Sequence, residues 1–289
     1  MKKFLFVLLC LGSLSLYSDY STNQPTDSIN INGVSIAYTT AGEEDKPSVL
    51  MIMGLMASHK VWGEEIVNGL VDSGYRVILF DNRDTGESEN LDRLGKPNLY
   101  WKFAMSYLGV DFSSPYTLTD MALDGIGVLD HLGVERAHIV GASMGGMIAQ
   151  TIASKFPERT KSLVSIMSTT GAPHLSQMSE RNEQNFNNAG DWDKEAAHSY
   201  GFYPEAMPRQ ITAIMKAGDR SEQVSSIKVS TLVQHGINDT LLPPDHGEHT
   251  AQLISNSKLK IYENMGHNLP AEVLPFVIDD MVNFFKSQD

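Results

Sequence analysis

The chain has 289 residues, 42% of them apolar and 20% charged, a globular composition that excludes an intrinsically disordered protein and supplies one sizeable core. Its 22 Lys+Arg stand against 35 Asp+Glu, a formal net charge of −13 with no basic run, so nucleic acid and anionic membrane surfaces are poor partners. The length fits a single α/β domain carrying an insertion, and the charge says nothing positive about a substrate.

Lys2 and Lys3 precede an apolar run from Phe4 to Leu16, and the small residue Ser18 is followed by polar sequence. That is the plan of a secretory signal, 1–18, which predicts a periplasmic or secreted protein. The run falls short of the roughly 20 residues of a membrane span, so cleavage and no stable membrane insertion are expected; an uncleaved segment tethering the same domain to the inner membrane is the alternative. Cys10 is the only cysteine and leaves with the signal, so no disulfide or cysteine metal cluster is expected. Leu9 stands where a lipoprotein signal carries a small residue, which argues against lipidation of Cys10.

Residues 19–28 are rich in Ser, Thr, Asp and Asn and read as an unstructured lead-in. Ile29 to Ile31 and Val34 to Ile36 alternate around Asn32-Gly33, a hairpin at a sheet edge. Ser48 to Met53, Arg76 to Phe80, Ala137 to Val140, Lys161 to Met167 and Thr231 to Gln234 are short, nearly continuous apolar runs, as expected of strands covered on both faces. A sixth strand is read at Leu259 to Tyr262.

Helices are predicted between the strands. One starts at the N-cap Thr117 and stops at Gly133, one runs from Ala149 to Phe156, and one from Ala271 to Lys286. The alternation gives an α/β fold with a mostly parallel sheet. It lapses over 172–228, where a helix from Pro208 to Ala217 is the clearest feature. This stretch reads as an inserted, mainly helical lid over the carboxyl ends of the strands, between core segments 29–171 and 229–289.

The run ending at Val140 leads directly into Gly141-Ala142-Ser143-Met144-Gly145-Gly146 and a helix. A hydroxyl is a weak nucleophile unless it is exposed, aimed and relieved of its proton, and a tight strand-to-helix turn meets the first two needs. Gly141 and Gly145 spare that turn the Cβ atoms that would clash. A helix N-terminus at Ser143 favours developing negative charge.

A base and an acid are then required. His267 follows the last predicted strand, on the edge where α/β proteins place their sites. His131 and His138 read as structural. His246 and His249 are spaced to share a helix face, yet no third ligand accompanies them, so no metal is assigned. Asp239 follows the strand Thr231 to Gln234, whereas 168–179, the other place for an acid, contains no Asp or Glu. Asp239 would fix the tautomer of His267 and stabilise its imidazolium.

The order serine, acid, histidine is that of the α/β-hydrolase plan. From about Ile29 to the C-terminus the chain resembles an α/β-hydrolase. Met53-Gly54-Leu55-Met56, Asp81-Asn82-Arg83-Asp84-Thr85-Gly86, Gly141 to Met147 and Ile166-Met167-Ser168-Thr169-Thr170-Gly171 resemble bacterial carboxylesterases related to aclacinomycin methylesterase. The resemblance implies Ser143 as nucleophile, Asp239 as acid and His267 as base. It also implies an oxyanion hole formed by the backbone N–H groups of Met144 and Leu55, with Met-Gly standing where many relatives have His-Gly.

Arg83 and Asp84 are expected to support the site without touching substrate. Met56, Trp62, Trp192 and Tyr203, with Tyr200 and Phe202, are read as an apolar substrate pocket beneath the lid, or as packing of the lid itself. The expected activity is hydrolysis of a small carboxylic ester or lactone through an acyl-enzyme, without cofactor. A proline-releasing aminopeptidase or a cofactor-free perhydrolase with the same triad, and a non-catalytic binding protein of the same fold, are the alternatives.

Overall fold

The computed structural model describes residues 20–187 and 193–289. Asn32 and Gly33 both take positive φ, 52° and 82°, which turns β1 (Asp27–Ile31) antiparallel onto β2 (Val34–Ala41). The chain continues through β3 (Ser48–Ile52), α1 (Glu64–Asp72), β4 (Arg76–Phe80), α2 (Leu99–Tyr107), α3 (Leu118–His131) and β5 (Ala137–Ala142). Next come α4 (Met144–Lys155), β6 (Thr160–Ile166), α5 (Glu180–Asn187), α6 (Lys194–Ser199), α7 (Met207–Ala217) and α8 (Ser221–Ser225). The last elements are β7 (Thr231–Gly236), α9 (Asp245–Leu253), β8 (Ser257–Tyr262) and α10 (Leu274–Lys286).

The strands form one sheet in the order β1-β2-β4-β3-β5-β6-β7-β8. β2 runs antiparallel to both β1 and β4, and every pair from β4 to β8 is parallel. Because side chains alternate across a strand, the continuous apolar runs feed two separate cores. Val49 and Met51 of β3 join Val67 and Leu70 of α1 and Val277, Met281 and Phe285 of α10 on one face. Leu50 and Ile52 join Leu129 of α3 and Ile148 and Ile152 of α4 on the other.

The capping box at Thr117 is present. Its hydroxyl accepts from the Asp120 amide at 3.2 Å while the Asp120 carboxylate accepts from the Thr117 amide at 2.7 Å. α10 begins at Leu274 rather than Ala271, with Pro275 in its first turn, where a missing N–H costs nothing. The stretch read as an unstructured lead-in is attached. Tyr20 is buried and its amide donates to Asn68 of α1 at 2.7 Å, and β1 begins at Asp27. An aromatic ring outweighs the polar composition around it.

Between β6 and β7 the described residues form helices and no strand, and Ala213, Val224 and Ile227 from this stretch pack into the second core. The proposed signal 1–18, including Cys10, lies outside the described residues, as does Trp192. Among the described residues no helix is long and apolar enough to cross a membrane.

Candidate active site

Ser143 sits between β5 and α4 with φ 56° and ψ −120°, a backbone state that L-residues avoid. The turn closes because its glycines are bare: a Cβ on Gly145 would lie 2.0 Å from the Ile52 carbonyl oxygen, and one on Gly141 would lie 2.1 Å from the Gly145 oxygen. The strained residue is held from both sides, its amide donating to the Ile166 carbonyl at 2.9 Å and its carbonyl accepting from the Ser168 hydroxyl at 2.8 Å.

The loops after β7 and β8 are laced together. Ile237 donates to the Tyr262 carbonyl and Asn238 to the Met265 carbonyl, both through their amides at 3.0 Å, and the bare Cα of Gly236 lets Met265 come this close. The lacing fixes the separation of the side chains beyond it. His267 Nδ1 lies 2.7 Å from Asp239 Oδ2, and His267 Nε2 lies 2.9 Å from Ser143 Oγ. A carboxylate only accepts, so the proton of a neutral imidazole is on Nδ1, and Nε2 is left to accept from the serine hydroxyl. The three residues picked from separate parts of the sequence are thus brought into one hydrogen-bonded chain.

The Asp239 side chain is buried. Burial opposes its ionisation, but hydrogen bonding from the His235 side, from His267 and from the Leu242 amide prevails and holds the carboxyl below the usual carboxylate range. Its Oδ1 accepts from the Leu241 and Leu242 amides at 2.9 Å each. His235 is a positioning residue that sequence reasoning missed. Fully buried, its Nε2 donates to the Leu242 carbonyl at 2.8 Å and lies 3.5 Å from Asp239 Oδ2, so it pins the loop that carries the acid.

Met144 is the first residue of α4, and Gly54 lies against the serine, a Cβ there falling 3.1 Å from Ser143 Cβ. Among the described residues, the backbone hydrogen bonds of the turns and loops use neither the Met144 nor the Leu55 N–H as donor. Met56, with φ 62°, is buried; its amide donates to Gln210 Oε1 of α7 at 2.7 Å and its carbonyl accepts from the Tyr203 amide at 2.8 Å. Tyr203 is half-buried and stacks on His198, Phe202 bridges to Ala57, and Tyr200 is exposed. Trp62 is buried among the apolar side chains of the first core.

Arg83 and Asp84 have buried partners that the sequence did not reveal. Arg83 forms a two-pronged pair with Asp124 of α3, both contacts at 2.7 Å. Asp84, also at positive φ, accepts from Arg209 of α7 at 2.8 and 2.9 Å, from Tyr116 at 2.6 Å and from the Leu91 amide at 2.7 Å. Of the other histidines, His131 contacts Tyr38 and His138 contacts Ser162. His246 and His249 lie on α9 and meet Thr169 and Thr170. Among the described residues no group of three or more His, Cys, Asp or Glu side chains is placed to hold a metal ion.

A sheet of this topology, with serine, acid and histidine at the carboxyl ends of β5, β7 and β8, defines the class. The chain belongs to the alpha/beta hydrolase fold family, whose model matches residues 47–197. Among curated proteins it is similar to rhodomycin D methylesterase DnrP of Streptomyces peucetius, 27% identical over 86% of this chain and 94% of that protein. It is also similar to the 2-hydroxy-6-oxo-6-phenylhexa-2,4-dienoate hydrolase of Comamonas testosteroni, 26% identical over 80% of this chain and 84% of that protein. Among solved structures, the enol-lactonase from Burkholderia xenovorans LB400 shares the fold with a TM-score of 0.70 at 18% identity, over 90% of this chain and all of that one.

Proposed function

We propose that the protein hydrolyses a carboxylic ester or lactone of a small organic molecule through an acyl-enzyme on Ser143. The observation that carries this reading is the unbroken chain from Asp239 through His267 to Ser143 Oγ, at 2.7 and 2.9 Å. Ser143 Oγ attacks the carbonyl carbon as His267 Nε2 takes its proton, and Asp239 stabilises the imidazolium. The negative charge on the tetrahedral oxygen is met by the Met144 amide at the N-terminus of α4 and by the Leu55 amide of the loop after β3. Collapse expels the alcohol, which takes the proton back from His267. Water, activated by the same imidazole, then attacks the acyl carbon and frees Ser143 and the acid.

The methylesterase among the relatives supports the ester class, and the fold shared with an enol-lactonase is compatible with lactones. Residues 172–228 are read as the lid, with Met56 and Tyr203 lining the substrate side, and Trp192 assigned there from sequence only. The N-terminal pattern Lys2 to Ser18 supports export to the periplasm or beyond.

The test is labelling with a fluorophosphonate together with turnover of graded acyl esters, lactones and proline anilides. We expect one label per chain, lost in Ser143→Ala, and turnover confined to esters and lactones. Preference for proline anilides would favour the aminopeptidase reading, and a folded, unlabelled, inactive protein would favour a binding role.

A further inference from the structure

A helix on a globular surface turns its apolar stripe inward and its charges outward. α2 departs from this: Leu99 and Met105 are half-buried, and a larger apolar set points outward. At 100° per residue, Phe103, Tyr107, Tyr100, Ala104, Leu108 and Trp101 share the face turned away from the protein, and the helix has no buried residue. Tyr107 is 91% and Trp101 69% exposed, so these are bare rings and not the edges of packed ones. The one charge of the helix, Lys102, is on the opposite side, donating to the Ser113 carbonyl at 2.9 Å and lying over the Phe112 ring. No Asp or Glu occurs from Arg93 to Val110 in a chain with 35 of them.

We infer that α2 is a docking surface for an electrically neutral lipid–water interface. Trp and Tyr have an apolar body and a polar edge and concentrate where hydrocarbon meets water, and exposed apolar patches of this kind mark interaction sites. The charge distribution selects a neutral surface over an anionic one. The chain as a whole is at −13, Lys102 is turned inward and Arg93 is paired with Glu89 at 3.0 Å, which leaves the exposed Lys96 as the one outward cation of the stretch 93–110. A second copy is the weaker occupant, because five side chains of a nine-residue helix and its C-cap Leu108 fall well short of the about 20 residues per side of a stable protein interface. α2 packs on α7, whose Gln210 holds the Met56 amide and whose Arg209 holds Asp84. Adsorption through α2 would therefore act on the helix packed directly behind it, which holds Met56 and Asp84.

The test is sedimentation of the full chain with phosphatidylcholine vesicles, beside a Trp101→Ser/Tyr107→Ser variant whose thermal melt is matched to the wild type. A Tyr100→Ser/Phe103→Ser variant stands in should the first fail to fold. We expect at least about a tenfold loss of partitioning in the variant. We also expect quenching of wild-type emission by brominated phosphatidylcholine that disappears in Trp101→Phe, and weaker binding to phosphatidylserine vesicles. Absence of partitioning, equal partitioning of wild type and variant, or a concentration-dependent dimer broken by the same substitutions would overturn the inference.

Discussion

Asp239 receives two backbone amides on one oxygen and the His267 imidazole on the other, which keeps a buried carboxylate charged and aimed. Replacing it by Asn leaves the shape but lets the imidazole settle in the wrong tautomer, so Asp239→Asn should lower kcat by about 10⁴-fold with little change in KM, read by steady-state kinetics. Because Asp239 is held below the usual carboxylate range, it stays ionised through mildly acidic pH and should contribute no protonation to the acid limb of kcat/KM, read from the pH profile; a break in that limb removed by Asp239→Asn would contradict this. The three side chains are legible in sequence because each follows a recognisable strand. His235 is not, because the bond from its Nε2 to Leu242 depends on how the loop after β7 folds back.

At the scale of the element, the β5–α4 turn shows how tightly backbone can close around a strained serine. A methyl at Gly145 has no room beside the Ile52 carbonyl, so Gly145→Ala should cost about 3 kcal/mol or more, seen as a lowered urea midpoint. α7 is anchored differently, by a buried ion pair. Arg209→Ala strands the Asp84 carboxylate and should destabilise by roughly 3–5 kcal/mol, whereas Arg209→Met combined with Asp84→Asn should recover part of the loss. Pro208 and Gly218 mark the two ends of α7 in the sequence, but Asp84 and Arg209 are far apart in the chain and leave no local pattern. α1 carries helical spacing in Ile66, Val67, Leu70 and Val71 that a search for buried-strand runs passes over. α2 escapes for a physical reason: its apolar side chains run nearly all the way round, Leu99 and Met105 half-buried on one side and Tyr100, Phe103 and Tyr107 exposed on the other, so no narrow stripe stands out.

Over the whole molecule, the apolar runs announce a sheet covered on both sides, and parity along each strand assigns its residues to one core or the other. Strand order is not encoded that way, and the placement of β4 between β2 and β3 emerges only from how the helices cross over. The C-terminus closes one of these cores. Phe285 stacks on His138 of β5, with ring centroids 4.3 Å apart, and Asp289 accepts from Lys161 at 2.8 Å and contacts His138 at 3.2 Å.

Burial pushes the His138 imidazole down to about 4, against the opposing pull of Asp289. A depressed imidazole binds its proton more readily in the unfolded chain, so its contribution to stability is full above the ordinary value of about 6.5 and is lost as pH falls toward 4, by on the order of 3 kcal/mol. Asp289, held below its usual range by Lys161 and His138 despite its burial, adds a loss in the same direction only below the ordinary carboxylate value of about 4, outside the window in which His138 acts. Urea midpoints should therefore drop between about pH 7 and pH 5 in the wild type and drop less in His138→Asn; parallel profiles would mean that His138 is not the group responsible.

The most direct measurement of the reaction is mass spectrometry of the protein quenched within the first turnover of an activated ester. The proposed chemistry predicts an acyl mass on the single peptide that carries Ser143, long-lived in His267→Ala if acylation still proceeds there and missing in Ser143→Ala. An acyl group on any other side chain, or undiminished ester turnover by Ser143→Ala, would contradict it.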